Sequence, residues 1–423
     1  MELKNIDENT FDTYVKESIK PHFAQTSAWA KVNAKRGLIP HLLGLYEDEK
    51  LVGCALLLER KILYYSTFYC PRGFIVDGYD RSLIKEMTER LKVYVKAHHG
   101  LSFKIDPDLI IRKLDNDDAS IIYEDKENLS LIDYLVSLGY KHRGFTTRFS
   151  ESSMPRFTFR VDISRSKEEI RASMHQTTRQ ILNRENPYGI KIRKNEFADF
   201  KAFYQTMVDT AKRKSILLEP LRFYETFYET LYQEDMSDLF SASIERAKVI
   251  ATYKKEIADE RAKIDELLAK PNRKTENRIK DITNHINKME KCLKEIEDIK
   301  EDEIILSAII TARFADKVWL IHGGNRDILQ FLNANYILYN AIMMDGHERG
   351  YKICDFYGAE GKIDKKSDLY GLVLFKSRFG GDYDEFIGEF DYIVRPIMHT
   401  LITRALIIRR KIRLHFATKK GGR

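Results

Sequence analysis

A heptad repeat in the second half of this 423-residue chain restricts its fold more than any other feature. Within residues 246–302, apolar side chains recur at alternating steps of three and four, the pattern of a coiled coil; they are Ile279, Ile282, Ile286, Met289, Leu293 and Ile296. A second apolar strip precedes them, and Pro271-Asn272 separates the two strips; its members are Tyr253, Ile257, Ile264 and Leu267. We predict an antiparallel helical hairpin, an arm roughly 35–45 Å long at about 1.5 Å per residue. Such an arm is either a spacer or dimerisation surface, or a prong that contacts RNA or a partner protein.

The chain has the pattern of α/β structure on both sides of this arm. Before residue 150, strand-like runs such as HLLGLYEDEKLVGCALLLER alternate with amphipathic helical runs such as RSLIKEMTERLKVYVKAH. A second series of strands and helices begins near Met154, stops near Glu245 and resumes with IILSAIITARFADKVWLIHGG. We predict an α/β (α+β) fold with a first domain at residues 1–152 and a second at 153–245 and 303–395. The arm occupies 246–302, and a tail follows at 396–423.

The positive charge of the chain is concentrated in that tail. Lys+Arg exceeds Asp+Glu by 71 − 64 = +7, and residues 404–423 hold eight basic residues and no acidic one, which leaves 7 − 8 = −1 for the rest. Leu401, Ala405, Ile408 and Ile412 fall on one helical face, so the tail reads as a basic amphipathic helix. Two interpretations stay open: a final helix docked on the body with a frayed end, or a segment that binds an anionic membrane or tRNA.

Several function classes are excluded by missing motifs. The four cysteines, Cys54, Cys70, Cys292 and Cys354, are too far apart for a zinc site and do not suggest a disulfide framework. No GxxxxGK[ST], GxGxxG, HExxH or GxSxG occurs, which argues against NTPases, zinc proteases and α/β-hydrolases. We expect neither a metal nor a bound cofactor. The N-terminus lacks an apolar signal core and no run approaches 18 apolar residues, so we expect a cytoplasmic protein.

Eight short strings give a more specific indication. In chain order they are QTSAWAKV, PRGFIVD, FKIDPD, MPRFTFRVDI, TTRQILNRE, CDFYG, YGLVLFKSRFGG and IGEFDY, spread over residues 25–392. In order and spacing they resemble the FemABX peptidyltransferases, and the late helical hairpin is similar to that of the staphylococcal-type members. The resemblance implies two GNAT-like (acyl-CoA N-acyltransferase-like) domains. An acetyl-CoA pyrophosphate loop, [RQ]xxGx[GA], is not found, so acetyl-CoA is not expected as donor.

The resemblance also implies a reaction. An amino acid would pass from aminoacyl-tRNA, the co-substrate, to the stem-peptide amine of a peptidoglycan precursor, and we expect that precursor to be lipid II. An ester becomes an amide, so no ATP is needed, in agreement with the missing phosphate loop. Glycine, alanine and serine are all open as the transferred residue. The alternatives are another acceptor, such as a soluble nucleotide-linked precursor or a protein N-terminus, and a non-catalytic protein that binds RNA or a partner.

Three residues are candidates for the chemistry. Lys376 matches the family's FK-motif lysine, which is proposed to stabilise the negative charge of the transition state; the alternative is a strand-end lysine in water. Phe375 beside it shapes the same pocket or packs in the core. Asp106, in KIDPD, matches an acceptor-side aspartate that binds or deprotonates the amine; the alternative is an ordinary Asp-Pro turn.

Four further residues are candidates for substrate binding. Arg213 matches an arginine that contacts the precursor phosphates, with a solvated helix end as the alternative. The family's precursor-binding lysine corresponds to Asn33 here, so Lys31 or Lys35, which flank it, would have to substitute. Trp319 stands where relatives often have tyrosine and keeps an aromatic face for stacking.

Overall fold

The computed structural model describes residues 1–408 apart from 185, 187, 197–199, 215, 216, 270–274 and 407. Its strands are β1 Glu2–Asn5, β2 Ile39–Glu47, β3 Lys50–Ile62, β4 Tyr65–Cys70, β5 Ile75–Val76, β6 Gly100–Ile105, β7 Ile110–Leu114, β8 Ile121–Glu124, β9 Tyr140–His142, β10 Phe157–Asp162, β11 Lys191–Lys194, β12 Leu239–Glu245, β13 Glu303–Phe314, β14 Lys317–Asn325, β15 Ile353–Asp355, β16 Asp382–Phe386 and β17 Phe390–Ile393. Its helices are α1 Glu8–Glu17, α2 Ser27–Lys35, α3 Arg81–Ala97, α4 Lys126–Ser137, α5 Lys167–Ser173, α6 Gln176–Asn183, α7 Phe200–Lys214, α8 Leu221–Gln233, α9 Arg246–Ala269, α10 Thr275–Glu297, α11 Ala334–Glu348 and α12 Tyr370–Ser377.

The strands form two mixed sheets. The first has the order β1-β2-β3-β4-β6-β17-β9, with β5 paired to β3, and the second has the order β11-β12-β13-β14-β15-β10-β16-β7-β8. One neighbouring pair in each sheet is parallel, β4 with β6 and β14 with β15. A shared apolar core joins the sheets, since Leu56 of β3 and Ile310 of β13 belong to the same buried cluster as Trp29 and Phe227.

The two sheets exchange strands. β7 and β8 precede residue 152 but belong to the second sheet, and β17 near the C-terminus lies between β6 and β9 of the first. The first exchange begins at the Asp106-Pro107 turn, where proline ends β6 and the chain crosses over. A domain boundary at residue 152 therefore does not coincide with the division between the sheets, because alternation along a strand does not say which sheet the strand joins.

The predicted coiled-coil arm is confirmed as α9 and α10. Ion pairs join Lys254 to Glu297 and Arg261 to Glu290, so residue numbers rise on one helix as they fall on the other, as in an antiparallel hairpin. The heptad members Ile286, Met289 and Ile296 are buried. At about 1.5 Å per residue, the 24 residues of α9 span roughly 36 Å. Pro271-Asn272 lies outside the described residues.

The described part of the tail is helical at residues 396–406. Its apolar side chains are largely exposed: Ile397, Leu401, Leu406 and Ile408 have exposed fractions of 77%, 55%, 42% and 58%. Residues 409–423, which carry most of the basic charge, lie outside the described residues. Among the helices that are described, none combines the length and the apolar character that crossing a bilayer requires.

Candidate functional site

Lys376 is a buried lysine near the end of α12, with only 6% of its surface exposed. Its ammonium group donates to three consecutive carbonyl oxygens after β15, those of Phe356 at 2.8 Å, Tyr357 at 2.5 Å and Gly358 at 2.7 Å. Burial lowers the pKa of Lys376 to about 7, although the charge of Asp355 acts in the opposite direction. The interpretation of Lys376 as a strand-end lysine in water is therefore wrong.

Phe375, next to Lys376 on α12, packs against α11. Its ring makes edge-to-face contacts with Tyr336 and Tyr339 at centroid distances of 4.7 and 4.8 Å, and with Phe379 at 5.3 Å. Phe375 is half-buried and packs against the core of the second sheet, where these contacts help to fix the rotation of the helix that carries Lys376.

Asp106 follows β6 and is 4% exposed. Its two carboxylate oxygens accept hydrogen bonds from the Arg72 backbone N–H at 2.7 Å and the Tyr69 hydroxyl at 2.9 Å. Burial raises the pKa of Asp106 to about 7, and the positive charge of Arg72 opposes that rise. A carboxyl group with this pKa exchanges its proton near neutral pH, which an ordinary Asp-Pro turn does not require.

Tyr357 bonds to Lys376 through its backbone, and its phenol feels the charge of Asp106. Its carbonyl oxygen accepts from Lys376, and its hydroxyl donates to the Met154 sulfur at 3.1 Å. The charges of Arg72 and Asp106 both act on the pKa of this phenol, which burial raises. Tyr357 also has a φ of 51°, an uncommon conformation for a side chain of this size. Asp106 and Lys376 are thus related through Tyr357, without a direct contact between them.

A second charged cluster, built around Asp108, was not anticipated from the sequence. Burial raises the pKa of Asp108, but the charges of His22, Lys317, Arg72 and Arg160 hold it well below its usual value. Burial also keeps His22 neutral by lowering its pKa, so the lysine and the arginines are the charges that act at neutral pH. Arg72 and Arg160 both stand in the strings that carry the family resemblance, which was the available signal.

Arg213 lies in the last turn of α7 and forms an ion pair with Asp327 at 3.2 Å. The neighbouring Lys214 donates to the Asp368 carbonyl oxygen at 2.8 Å, just before α12 begins. The basic end of α7 therefore adjoins the N-terminal end of the helix that carries Lys376. The Arg213 side chain is 28% exposed, which leaves part of the guanidinium accessible to a ligand.

Lys31 and Lys35 lie on α2, beside α8. Lys31 makes ion pairs of 2.8 Å with both Glu8 and Glu234, and Lys35 donates to the Thr230 hydroxyl at 2.9 Å. Asn33 between them is buried and donates to the Trp29 carbonyl oxygen. Asn33 thus belongs to the interior, and both flanking lysines are engaged with other parts of the protein.

Trp319 is a core residue of β14, only 2% exposed. Its ring contacts His22 at a centroid distance of 4.8 Å and Phe23 at 5.1 Å. The aromatic face expected to stack on a substrate is therefore covered by protein. The prediction of an open stacking face was wrong because His22 and Phe23 are almost 300 residues away along the chain, and local sequence does not show that they pack here.

No cluster of three or more His, Cys, Asp or Glu side chains suited to a metal ion occurs within the described ranges. Burial moves the pKa values of both Asp106 and Lys376 to about 7.

Comparison with known proteins gives consistent matches over nearly the whole chain. The model of the FemAB family matches residues 6–406. A lipid II:glycine glycyltransferase of Staphylococcus haemolyticus is 26% identical over 434 aligned residues and covers 100% of both chains. The protein of that name from Staphylococcus aureus is also 26% identical and covers 95% of each. A crystal structure of FemX has 26% identity and a TM-score of 0.73, over 95% of this chain and 100% of that one. The expected fold class is thereby confirmed, and the chain belongs to the FemAB family.

Proposed function

We propose that this protein is a transferase that moves an amino acid from aminoacyl-tRNA to the stem-peptide amine of lipid II. The observation that carries the proposal is the full-length similarity to proteins named lipid II:glycine glycyltransferases. Those names make glycine the first donor residue to test and lipid II the first acceptor. The buried pair Asp106 and Lys376 supplies groups suited to such a transfer.

The reaction joins the acceptor nitrogen to the carbonyl carbon of the aminoacyl ester. The C–N bond forms, the C–O bond to the tRNA ribose breaks, and the ribose oxygen takes up a proton. Because the ester is already activated, the protein has to hold the two substrates together, accept a proton from the amine and stabilise the oxyanion.

Asp106 is our candidate for the proton acceptor. A pKa of about 7 leaves a large fraction ionised at neutral pH, yet gives the carboxylate more basicity than an exposed aspartate has. Tyr69 and the Arg72 backbone donate to its two oxygens, so the carboxylate has a defined orientation.

Lys376 is our candidate for stabilising the oxyanion. All three ammonium hydrogens are directed at carbonyl oxygens, so the group first fixes the segment from Phe356 to Gly358. In the transition state, a full negative charge competes well with a neutral carbonyl for one of these donors. The lowered pKa of Lys376 limits this role to pH values at which the amine is still protonated.

Arg213 is our candidate for binding the diphosphate of lipid II. A guanidinium group binds phosphate oxygens in a forked geometry, and the Arg213–Asp327 pair is exposed enough for a phosphate to replace the aspartate. Lys31 and Lys35 are secondary candidates, because binding there would have to displace Glu8 and Glu234 or Thr230.

We further propose that the protein works in the cytoplasm and that its tail contacts the inner face of the plasma membrane. Exposed apolar side chains on the helix at residues 396–406, followed by a basic sequence, suit the interface of an anionic bilayer. Each surface lysine or arginine near anionic lipid contributes about 1 kcal/mol. Peripheral contact would bring the enzyme to a lipid-linked acceptor.

The direct test is transfer of radiolabel from a mixed pool of charged tRNAs to purified lipid II, with a parallel reaction on the soluble nucleotide-linked precursor. Mass spectrometry of the product identifies the amino acid. We expect label on lipid II, carried by glycine. Label on the soluble precursor alone would keep the chemistry and overturn the acceptor, and no label on either, from folded protein, would contradict the proposed function.

A further inference from the structure

The backbone and the guanidinium of Arg72 make contacts with different sheets. Its backbone belongs to the turn after β4 of the first sheet, where it donates to Asp106 at 2.7 Å. Its guanidinium donates to the Pro155 carbonyl oxygen at 3.0 Å and lies 4.5 Å from the centre of the Phe386 ring, on β16 of the second sheet. One residue therefore joins the predicted proton acceptor to the opposite sheet.

The turn that contains Arg72 is tightly fitted against the turn that contains Asp106. Arg72 has a φ of 59°, in the left-handed region that is costly for a non-glycine residue. Gly73 follows with a φ of 76°, and a side chain there would come within 3.0 Å of Pro107. The Arg72 carbonyl oxygen in turn accepts from the Asp108 backbone N–H at 3.2 Å. The two turns are thus hydrogen-bonded to each other in both directions. The strain at Arg72 has to be offset by its other contacts.

Asp106 borders a small cavity as well as its hydrogen-bond partners. A small cavity between the sheets lies directly beside it, lined also by Arg72, Phe386 and Glu389. Arg72 also lines this cavity, and its Nε is buried without a hydrogen-bond partner among the described residues. Since open space adjoins Asp106 on this side, its position depends on its hydrogen bonds and on whatever keeps the Arg72 turn fixed.

We propose that Arg72 is a positioning residue, which fixes the Asp106 carboxylate between the sheets by anchoring its turn to Pro155 and Phe386. The inference rests on the proposed function in so far as it assigns Asp106 a part in the transfer. An arginine suits this role better than a lysine, because its planar group stacks on an aromatic ring and donates in a fixed direction.

Two variants separate position from charge. Arg72→Lys keeps the positive charge and the backbone donor but loses the planar stack, so we expect kcat to fall about 10- to 100-fold while KM for each substrate changes little. Arg72→Ala also removes the charge that lowers the pKa of Asp106, so the acid limb of the pH–rate profile should move to higher pH. The other groups that act on or respond to this carboxyl group, Tyr69, Cys70, Tyr357 and Glu389, are unchanged in both variants.

Two further variants test the opposite side and the specificity of the effect. Phe386→Leu keeps an apolar side chain but removes the ring, and we expect the same loss of kcat in milder form. Arg81→Lys is the matched control, because Arg81 of α3 also stacks on a ring, that of Tyr134 of α4 at 5.2 Å. Its kinetics should equal those of the wild type.

A measurement without turnover keeps this inference separate from the proposed function. With ¹³C-labelled aspartate, the Asp106 carboxyl resonance, assigned through Asp106→Asn, can be titrated in each folded variant. We expect a higher pKa in Arg72→Ala than in the wild type and a shifted resonance in Arg72→Lys and Phe386→Leu. An unchanged titration and wild-type kcat in the folded variants would overturn the inference; a wild type that transfers nothing would overturn only the proposed function.

Discussion

Tyr69 donates its hydroxyl hydrogen to Oδ2 of Asp106 across 2.9 Å, from β4 to the end of the neighbouring parallel strand β6. Tyr69 is half-buried, and desolvation raises the pKa of its phenol, so it stays a neutral donor near neutral pH. The bond favours the ionised form of Asp106 and therefore opposes the effect of burial on this carboxyl group.

Tyr69→Phe removes this donor and leaves the ring in place. The pKa of Asp106 should then rise above about 7, so less carboxylate is available at a given pH. We expect transfer at pH 6 to fall by a larger factor than transfer at pH 8.5, measured as a pH–rate profile. Tyr65→Phe on the same strand is the control and should leave the profile unchanged; equal loss at both pH values in Tyr69→Phe would contradict the prediction.

Lys376→Met replaces the ammonium group by an apolar chain of similar length. Three buried carbonyl oxygens lose their donor, so we expect the free energy of unfolding to drop by about 1–3 kcal/mol. Loss of the charge should lower kcat by about 10²- to 10³-fold, with binding of aminoacyl-tRNA retained. Turnover assays, gel-shift binding and thermal unfolding measure the three effects. Lys366→Met, on the exposed segment before α12, is the control, and near-normal kcat in Lys376→Met would refute the role.

Asp106→Asn should change the dependence of stability on pH. The folded-state pKa of Asp106, about 7, exceeds its usual value of 3.8, so between these values the folded protein binds a proton that the unfolded chain has lost. Asp106 therefore costs stability as pH rises from about 4 to 7, by up to roughly 4 kcal/mol over about three pKa units. The free energy of unfolding of Asp106→Asn, minus that of the wild type, should be larger at pH 7.5 than at pH 5. Urea unfolding at both pH values checks this, and a difference independent of pH would exclude the assigned pKa.

Replacement of residues 246–302 by Asn-Gly should leave both sheets intact. Glu245 and Glu303 are already paired across β12 and β13, so a two-residue turn can join them without changing the register. We expect a folded protein with a lower Tm, because Tyr253 of α9 packs against Tyr188 and Phe331 of the body. Circular dichroism and calorimetry measure both, and aggregation of the variant would contradict it. A raised KM for aminoacyl-tRNA alone would assign the arm to RNA binding; unchanged kinetics would make it a spacer.

Removal of residues 396–423 should abolish binding to vesicles that contain anionic lipid. The truncation ends at Arg395, whose guanidinium still donates to the Lys96 carbonyl oxygen, so the first sheet keeps its last contact. Co-sedimentation should fall to the level seen with neutral vesicles, and transfer to a soluble acceptor should be unaffected. Undiminished binding to anionic vesicles would show that the tail is not the membrane contact.

The sequence was informative where a pattern is local. Heptad spacing determines which side chains of α9 and α10 face each other, so the arm could be predicted before any tertiary contact was known. Lys376 and Asp106 were found through short strings, but their burial could not be, because it depends on Phe356 to Gly358 for the first and on Tyr69 and Arg72 for the second. The prediction that Trp319 presents an open aromatic face was wrong for the same reason. Exposure is a property of the assembled fold, and it is decided by residues far apart in the chain.

The position of β17 between β6 and β9 affects how the chain can fold during synthesis. When the first 150 residues have left the ribosome, β6 and β9 still lack the strand that joins them, and β7 and β8 still lack their sheet. The first sheet cannot complete its hydrogen bonding until residue 393 has emerged, and the second cannot until residue 386 has emerged. Until then the nascent chain exposes open strand edges, which are sites for pairing with other chains. Once formed, the two sheets should melt together in one cooperative transition.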